Sequence, residues 1–182
     1  MTVVHAAHTA DLDAASLKAA RDLLYDVFDD MTDADWEHSL GGMHALAWDG
    51  AELIGHAAVI QRRLLHGGRA LRTGYVEGVA VRADRRRQGV ASALMAELER
   101  IIRGAYDLGA LGATDEGAAF YVSRGWTCWT GPTAAMTPNG IERTPDEDGA
   151  IYVLTVSSAL TGQHAADPAG ELACDWRDGD AW

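Results

Sequence analysis

The stretch "VRADRRRQGVASALM", Val81–Met95, places four arginines within six positions and follows them with a glycine. Beyond the glycine, Val90, Leu94 and Leu98 recur at the spacing of one helical face. The first turn of a helix exposes unbonded N–H groups and a partial positive charge, so it attracts anions. Because Gly89 also leaves room for a ligand beside the backbone, the stretch predicts a turn that binds a pyrophosphate.

The positive charge of this stretch contrasts with the acidity of the whole chain. The chain has 27 acidic and 15 basic residues and a net charge of -12. Residues 61–103 hold 10 of the bases and only 4 of the acids, so both flanks are strongly acidic. This balance argues against nucleic acid and anionic membranes as partners, because both are polyanions. It permits a cationic ligand.

The size and composition predict one globular domain covering residues 1–182. The chain is 48% apolar and 23% charged, which is ordinary for a globular protein. It lacks an apolar run of about 18 residues, so we expect no transmembrane helix. The N-terminal stretch lacks the basic start and apolar centre of a secretory signal.

The cysteines and histidines predict neither a disulfide framework nor a metal site. Cys128 and Cys174 form no C-x-x-C pair, and a reducing cytoplasmic location fits them best. His44, His56 and His66 show no H-x-H or H-E-x-x-H spacing. We therefore assign the three histidines to the core or the surface and predict no metal.

The order of elements predicts an α/β fold with a mixed sheet. A strand is followed by two helices, three antiparallel strands, the helix that starts at Gly89, a strand, a helix and closing strands. The dipeptide Asp49-Gly50 predicts the first hairpin turn. On the long helix we expect Glu99 to face solvent, and residues 156–170 are predicted to be a loop.

Two motifs resemble those of the GNAT N-acetyltransferase superfamily. "GYVEGVAVRADRRRQGVASALM" is similar to its acetyl-coenzyme A signature, and "AAFYVSRGW" is similar to its later motif, in which a helix ends in F/L-Y-x-x-x-G-F. The resemblance implies a mixed, mostly antiparallel sheet flanked by helices, with splayed central strands. It implies acetyl-CoA as cosubstrate. From the residues alone we expect the side chains of Arg82, Arg86 and Arg87 to add charge around the site. The residues implied to bind acetyl-CoA are Val79, Ala80, Val81, Arg86, Arg87, Gln88, Gly89, Val90 and Ala91.

Gly78 interrupts the strand that leads into this turn. A glycine inside a strand commonly marks a bulge or a close backbone approach. The resemblance places Gly78 near the bulge where the central strands part. It implies that the amides of pantetheine pair with the backbone of Val79 and Val81.

A more specific resemblance covers about Asp33 to Trp182. "DADWEHSLGGMHALAWDGAELIGHAAVIQRRLL" and "ACDWRDGDAW" are similar to segments of the aminoglycoside 2'-N-acetyltransferases of mycobacteria. That family implies a homodimer in which the segment 171–182 completes the acceptor site. Aminoglycosides carry several ammonium groups, which would account for the acidic flanks. The implied acceptor residues are Asp35, Glu77, Gly78, Gly112, Glu147, Asp148, Asp180 and Trp182.

Acetyl transfer to an amine requires a base for the amine proton and gains from an acid at the departing sulfur. The resemblance implies that Glu77 is the base, directly or through water, and that Tyr121 is the acid. The residues alone leave simpler roles open: a solvent-facing strand glutamate for Glu77, and packing beside Phe120 for Tyr121.

The sequence leaves three functions open. The first is acetylation of the 2'-amine of an aminoglycoside, by direct attack in a ternary complex, which confers resistance. The second is acetylation of another cationic amine, such as a polyamine or a peptide N-terminus. The third is a non-catalytic CoA-binding regulatory domain, in which Glu77 and Tyr121 would be replaceable.

Overall fold

A computed structural model describes residues 2–156 and 167–182 of the chain. The predicted loop 156–170 therefore lies mostly outside the described residues. The helices are α1 (Ala14–Val27), α2 (Asp33–His38), α3 (Val90–Ala105) and α4 (Asp115–Ser123). The strands are β1 (Thr2–His8), β2 (Met43–Asp49), β3 (Glu52–His66), β4 (Arg69–Val81), β5 (Leu108–Gly112), β6 (Thr127–Cys128), β7 (Thr133–Thr137), β8 (Gly140–Arg143), β9 (Ile151–Thr155) and β10 (Leu172–Asp175).

The chain divides into two compact units. The first unit comprises Met1–Ile60 and Val76–Ile101, and the second comprises Gln61–Tyr75 and Ile102–Trp182. Strands β3 and β4 each supply residues to both units. None of the described helices is both long enough and apolar enough to cross a membrane.

In the first unit, β1, β2 and the first part of β3 form antiparallel pairs. The turn at Asp49-Gly50 sets the register, in which Leu46 faces His56 and His44 faces Ala58. Asp13 is the N-cap of helix α1, and its side chain accepts a hydrogen bond of 2.7 Å from the N–H of Ser16. This N-cap satisfies one of the donors that the first helical turn leaves unbonded. The helix then buries Leu23 and Leu24 in a cluster with Ala80.

Helix α3 packs directly against β3 at a glycine. An ideal Cβ on Gly55 would lie 2.8 Å from Cγ1 of Val90 and 3.0 Å from Cδ1 of Leu94, so a larger residue would have to displace these side chains. The prediction that Glu99 faces solvent is wrong, because the residue is only 5% exposed. Glu99 follows the fully buried Met95 by one helical turn, so the buried stripe of α3 is wider than the predicted apolar row.

The second unit contains a mixed, mostly antiparallel sheet. Its strand order is β6-β9-β5-β4-β3-β10-β7-β8. The pairs β4–β5 and β10–β7 are parallel, whereas β5–β9, β6–β9, β3–β10 and β7–β8 are antiparallel. Its core includes Leu64, Trp129, Ile151 and Leu172. The sequence did not predict β7, β8 or β10.

A buried arginine fastens the C-terminal segment to the second unit. Arg62 of β3 is 4% exposed, and its Nε donates to a carboxylate oxygen of Asp175 at 2.7 Å. Its Nη2 donates to the backbone carbonyls of Asp175 and Ala181 at 2.7 and 2.8 Å. The guanidinium also lies over the ring of Tyr75, 4.9 Å from its centroid. The segment after β10 is therefore held at both of its ends.

Candidate functional site

The turn between β4 and α3 has the backbone of an anion site. Arg87 and Gly89 adopt left-handed conformations, with φ of 58° and 83°. No atom lies within 4 Å of an ideal Cβ on Gly89, so its backbone angle, and not crowding, requires glycine. Left-handed residues in a turn can gather backbone N–H groups on one concave side. The first N–H groups of α3, which begins at Val90, add to these donors.

The four arginines of this turn divide into two kinds. Arg82 donates to Glu52 at 3.0 Å and to Asp84 at 2.6 Å, and Arg85 pairs with Asp49 at 3.0 Å. Their charges are therefore compensated, and the expectation that Arg82 adds charge to the ligand site is wrong.

The other two arginines, Arg86 and Arg87, are exposed at the surface of the turn. Among the described residues, no carboxylate forms an ion pair with either guanidinium. The Nε of Arg86 makes only a long hydrogen bond, of 3.4 Å, to the carbonyl of Val81. These two side chains therefore keep positive charge that an anion can use.

Gly78 breaks the regular pleat of β4. Its φ is 56°, a left-handed angle that a strand residue with a side chain rarely adopts. An ideal Cβ on Gly78 would lie 3.2 Å from Leu24 methyl carbons and from the hydroxyl oxygen of Ser39. The carbonyl of Gly78 accepts a hydrogen bond of 2.9 Å from Nδ1 of His56. Glu77, one residue earlier, is partly exposed.

Asp35, the remaining predicted acceptor residue of the first unit, belongs to the capping box of α2. One of its carboxylate oxygens accepts from the N–H and the hydroxyl of Thr32, at 2.8 and 2.7 Å. The side chain is partly exposed. The cap therefore fixes the direction of the carboxylate.

In the second unit, three predicted acceptor residues lie together. Glu147 ends a 3₁₀ turn, and burial raises its pKa, with further increases from the charges of Asp180 and Asp146. Trp182 is 5% exposed, and its indole N–H donates to the hydroxyl of Thr144 at 2.9 Å. The backbone N–H of Trp182 donates to a carboxylate oxygen of Asp180 at 3.0 Å. The end of the chain thus brings a second carboxylate toward Glu147.

Asp148 differs from Glu147 in how its carboxylate is used. One oxygen accepts from the N–H and the hydroxyl of Thr133, at 2.8 and 2.9 Å, and the other pairs with Arg143 at 2.6 Å. The hydrogen bond from the Thr133 N–H contributes most to lowering the pKa of Asp148. Since both oxygens already have partners, Glu147 has more capacity than Asp148 to bind a cation.

Two further predicted residues belong to the second unit. Gly112 is exposed at the end of β5, and an ideal Cβ there would lie 3.7 Å from the hydroxyl oxygen of Tyr75. Tyr121 of α4 is 9% exposed, with its ring against those of Phe120 and Trp126. Burial raises the pKa of Tyr121 to about 12, so its hydroxyl keeps its proton at neutral pH.

The sequence prediction missed a pair of buried histidines beside Gly78. His44 and His56 were assigned to the core or the surface, and the structure joins them by a hydrogen bond of 2.9 Å. The available signal was the Asp49-Gly50 turn, whose register places the two rings diagonally on one face of the sheet. Among the residues that the structure describes, no group of three or more His, Cys, Asp or Glu side chains is arranged to hold a metal.

Comparison with known proteins identifies the family. The family model for the acetyltransferase (GNAT) domain matches residues 10–129. The chain therefore belongs to the GNAT acetyltransferase family, whose members take their acetyl group from acetyl-CoA. It is similar to the aminoglycoside 2'-N-acetyltransferase of Mycolicibacterium fortuitum, with 51% identity over 176 residues that cover 96% of this chain and 89% of that protein. The resemblance predicted from the sequence is confirmed.

Solved structures confirm the fold class. YhbS of Escherichia coli, a GNAT family N-acetyltransferase solved in complex with CoA, superposes with a TM-score of 0.67 at 17% identity. The superposition covers 97% of this chain and 90% of that one. Eis1 of Mycobacterium abscessus gives a TM-score of 0.61 at 21% identity over 74% of this chain, which spans 33% of Eis1.

The two left-handed glycines should respond differently to alanine. Gly89→Ala adds only backbone strain, so we expect it to lower the free energy of unfolding by roughly 1 kcal/mol. Gly78→Ala adds the same strain and also brings a Cβ 3.2 Å from Leu24 and Ser39, so we expect a loss of about 2–3 kcal/mol. Urea unfolding of both variants measures the difference. Equal losses would contradict the close packing described at Gly78.

Proposed function

We propose that this chain transfers the acetyl group of acetyl-CoA to the 2'-amine of an aminoglycoside and so confers resistance. The observation that carries the proposal is the 51% identity, over 96% of the chain, to a protein named aminoglycoside 2'-N-acetyltransferase. The chemistry of the second unit supports it, because the neighbouring carboxylates of Glu147 and Asp180 suit a ligand with several ammonium groups.

The first unit fits the cosubstrate. Bound acetyl-CoA supplies an activated acetyl thioester. We assign its pyrophosphate to the turn before α3, where Arg86 and Arg87 keep uncompensated charge and the backbone of Gln88, Gly89, Val90 and Ala91 supplies N–H groups. We assign its pantetheine to the backbone of Val79, Ala80 and Val81.

The limits of strand pairing support this pantetheine assignment. Within the second unit, the parallel pairing of β4 with β5 covers Thr73, Gly74 and Tyr75. Strand β4 then continues as far as Val81. Backbone groups that lie on this edge of β4, beyond the stretch paired with β5, can bond to an extended ligand as a neighbouring strand would.

Glu77 is the proposed base. An amine attacks a thioester only in its neutral form, so a carboxylate must take a proton from the ammonium group, directly or through water. Glu77 is partly exposed, and the left-handed Gly78 follows it. This position lets its carboxylate reach solvent water while its backbone stays fixed in the strand.

Tyr121 is the proposed acid. Its buried environment holds the pKa of its hydroxyl at about 12, so the group carries a proton throughout the neutral range. A protonated hydroxyl can donate to the departing thiolate of CoA. The amine attacks the thioester directly, so the reaction needs no nucleophile from the enzyme. Orienting the two substrates supplies most of the acceleration.

We propose residues in each of the two units that contact the aminoglycoside. In the first unit we assign Asp35, Glu77 and Gly78 to the drug. In the second unit we assign Gly112 and Trp182 together with the carboxylates of Glu147 and Asp180, while Asp148 acts mainly by holding the 3₁₀ turn. Several fixed carboxylates would also speed the approach of a polycation.

The resemblance to the mycobacterial enzymes supports three further proposals. Because the family match includes residues of both units, we propose a single acetyltransferase domain, 1–182, completed by the segment 171–182. We propose a homodimer, which follows from the resemblance alone. The two free thiols, Cys128 and Cys174, support a cytoplasmic location.

A matched pair of drugs tests the proposed reaction. Tobramycin carries a 2'-amine where kanamycin A carries a 2'-hydroxyl. We expect thiol release from acetyl-CoA with tobramycin and none above background with kanamycin A. Equal turnover would place the acetyl group elsewhere. CoA binding without turnover of either drug would favour another cationic amine or a non-catalytic CoA-binding domain.

Replacing the proposed base and acid should affect different steps. We expect Glu77→Gln to lower kcat/KM about 100-fold, with the largest loss at low pH, where the amine is hardest to deprotonate.

We expect Tyr121→Phe to lower kcat about tenfold and leave the dissociation constant of CoA unchanged. Steady-state rates from pH 6 to 9 and calorimetric titration with CoA measure these effects. An unchanged pH profile removes Glu77 as the base, and full activity leaves Tyr121 a packing residue.

Replacing Glu147 should affect substrate binding, whereas replacing its neighbour Asp148 should affect the stability of the fold. Because the pKa of Glu147 is raised, it becomes neutral at a higher pH than an ordinary glutamate as the pH falls. The KM for tobramycin should therefore rise as the pH is lowered from 7 to 5, and Glu147→Gln should raise KM at pH 7 and flatten this dependence. Asp148→Asn should instead lower the midpoint of thermal unfolding, because it removes the ion pair with Arg143. An unchanged KM in Glu147→Gln would exclude that carboxylate from the acceptor site.

A further inference from the structure

A continuous chain of hydrogen bonds in the first unit ends at the carbonyl of Gly78. The hydroxyl of Thr9 lies 2.8 Å from Nε2 of His44, and Nδ1 of His44 lies 2.9 Å from Nε2 of His56. Nδ1 of His56 lies 2.9 Å from the carbonyl oxygen of Gly78. Both imidazole rings are fully buried.

The final acceptor fixes the direction of every bond in this chain. A carbonyl oxygen can only accept, so Nδ1 of His56 must carry a proton. Neutral His56 then accepts at Nε2, which requires Nδ1 of His44 to donate. Nε2 of His44 in turn accepts from the hydroxyl of Thr9, whose oxygen is itself fixed by the N–H of Gly41 at 2.9 Å. Each histidine therefore has one permitted tautomer.

The surroundings keep both rings neutral. Burial lowers the pKa of His44 to about 4, helped by the nearby His8, and lowers that of His56 to about 3, helped by His44. The ring of Trp36 lies beside the pair in a tilted orientation, with its centroid 6.4 Å from that of His44 and 6.3 Å from that of His56. The arrangement is therefore a chain of neutral groups at neutral pH.

The last bond of the chain acts on a peptide group next to the proposed cosubstrate site. The carbonyl of Gly78 and the N–H of Val79 belong to one planar trans peptide, so they point in opposite directions. Holding the carbonyl against His56 thus aims the N–H of Val79 away from His56. A hydrogen bond to the carbonyl also polarises the peptide and strengthens its N–H as a donor.

We propose that His56 is a positioning residue, oriented by His44, that aims the Val79 N–H at the pantetheine of acetyl-CoA through its bond to the Gly78 carbonyl. The inference rests on the proposed cosubstrate site. It assigns a task to two buried polar residues in a region that is otherwise mostly apolar. It also explains why the bond joins a side chain of β3 to the left-handed residue of β4.

Two replacements of similar shape separate this role from simple packing. His56→Asn keeps an amide donor near the position of Nδ1, whereas His56→Leu fills similar space with no donor. Each variant of the full chain is titrated by calorimetry with CoA and with adenosine 3',5'-bisphosphate. The second ligand has no pantetheine and cannot reach Val79.

We expect His56→Leu to raise the dissociation constant of CoA about tenfold, the effect of losing one well-placed hydrogen bond. The dissociation constant of the bisphosphate should stay within about twofold of wild type, because the arginine turn is unaffected. His56→Asn should restore most of the affinity for CoA. If His56→Leu does not fold, His56→Gln replaces it, because its donor reaches only the position of Nε2.

Two results would overturn the proposal: equal affinity for CoA in wild type and the donorless variant, or equal losses for both ligands. Failure of the wild-type chain to bind CoA would overturn the proposed function itself, and the positioning role with it. The amide proton shift of Val79 in ¹⁵N-valine-labelled protein gives a second readout. It should move upfield in the donorless variant and stay near the wild-type value in His56→Asn, and an unmoved resonance would contradict the proposal.

Discussion

The left-handed conformation of Gly78 is the constraint on which much of the first unit depends. Its carbonyl is held by the hydrogen bond from His56, and Leu24 and Ser39 leave little room for a side chain at this position. Because β4 is fixed at this point, the residues after it enter the arginine turn in a set direction. Gly78 thus lies next to three features of the first unit. These are the histidine pair, the buried side of α1 and the turn that leads into α3.

Charged side chains that are close together in this sequence differ in whether they are paired with an opposite charge. Four arginines stand close together in an acidic chain, yet Arg82 and Arg85 are compensated by carboxylates of the same unit. Arg86 and Arg87 keep charge for an anion. The acids of the second unit divide in the same way, because Asp148 is used internally while burial and a neighbouring charge raise the pKa of Glu147. Of two residues that are adjacent in sequence, one can therefore be used in an internal ion pair while the other keeps its charge for a ligand.

The sequence predicted most of the elements that carry local signals. The helices with caps, the hairpin at Asp49-Gly50 and the glycine turn before α3 lie where the patterns placed them. Strands β7, β8 and β10 were missed because none of them shows a clear alternation of apolar and polar residues. Strands β7 and β10 pair in parallel although they lie far apart in the sequence, and β8 is exposed throughout. Glu99 was misplaced because its burial depends on the width of a packed face, which spacing alone does not fix.

The family and the proposed site residues followed from motifs, whereas the uses of individual side chains did not. Nothing local distinguishes Asp148 from Glu147, or Arg82 from Arg86, since their partners come from distant segments. The bond between His56 and Gly78 depends on the juxtaposition of two strands in the same way. Such pairings become visible only when the chain is folded.

The position of the acetyl group on the product tests the central claim most directly. Tobramycin is converted with ¹³C-acetyl-CoA, and two-dimensional NMR of the purified product identifies which nitrogen bears the label. The proposed activity predicts a single amide at the 2' position. A label on any other amine, or a mixture of positions, would contradict the proposed 2'-N-acetyltransferase activity while leaving membership of the GNAT family intact.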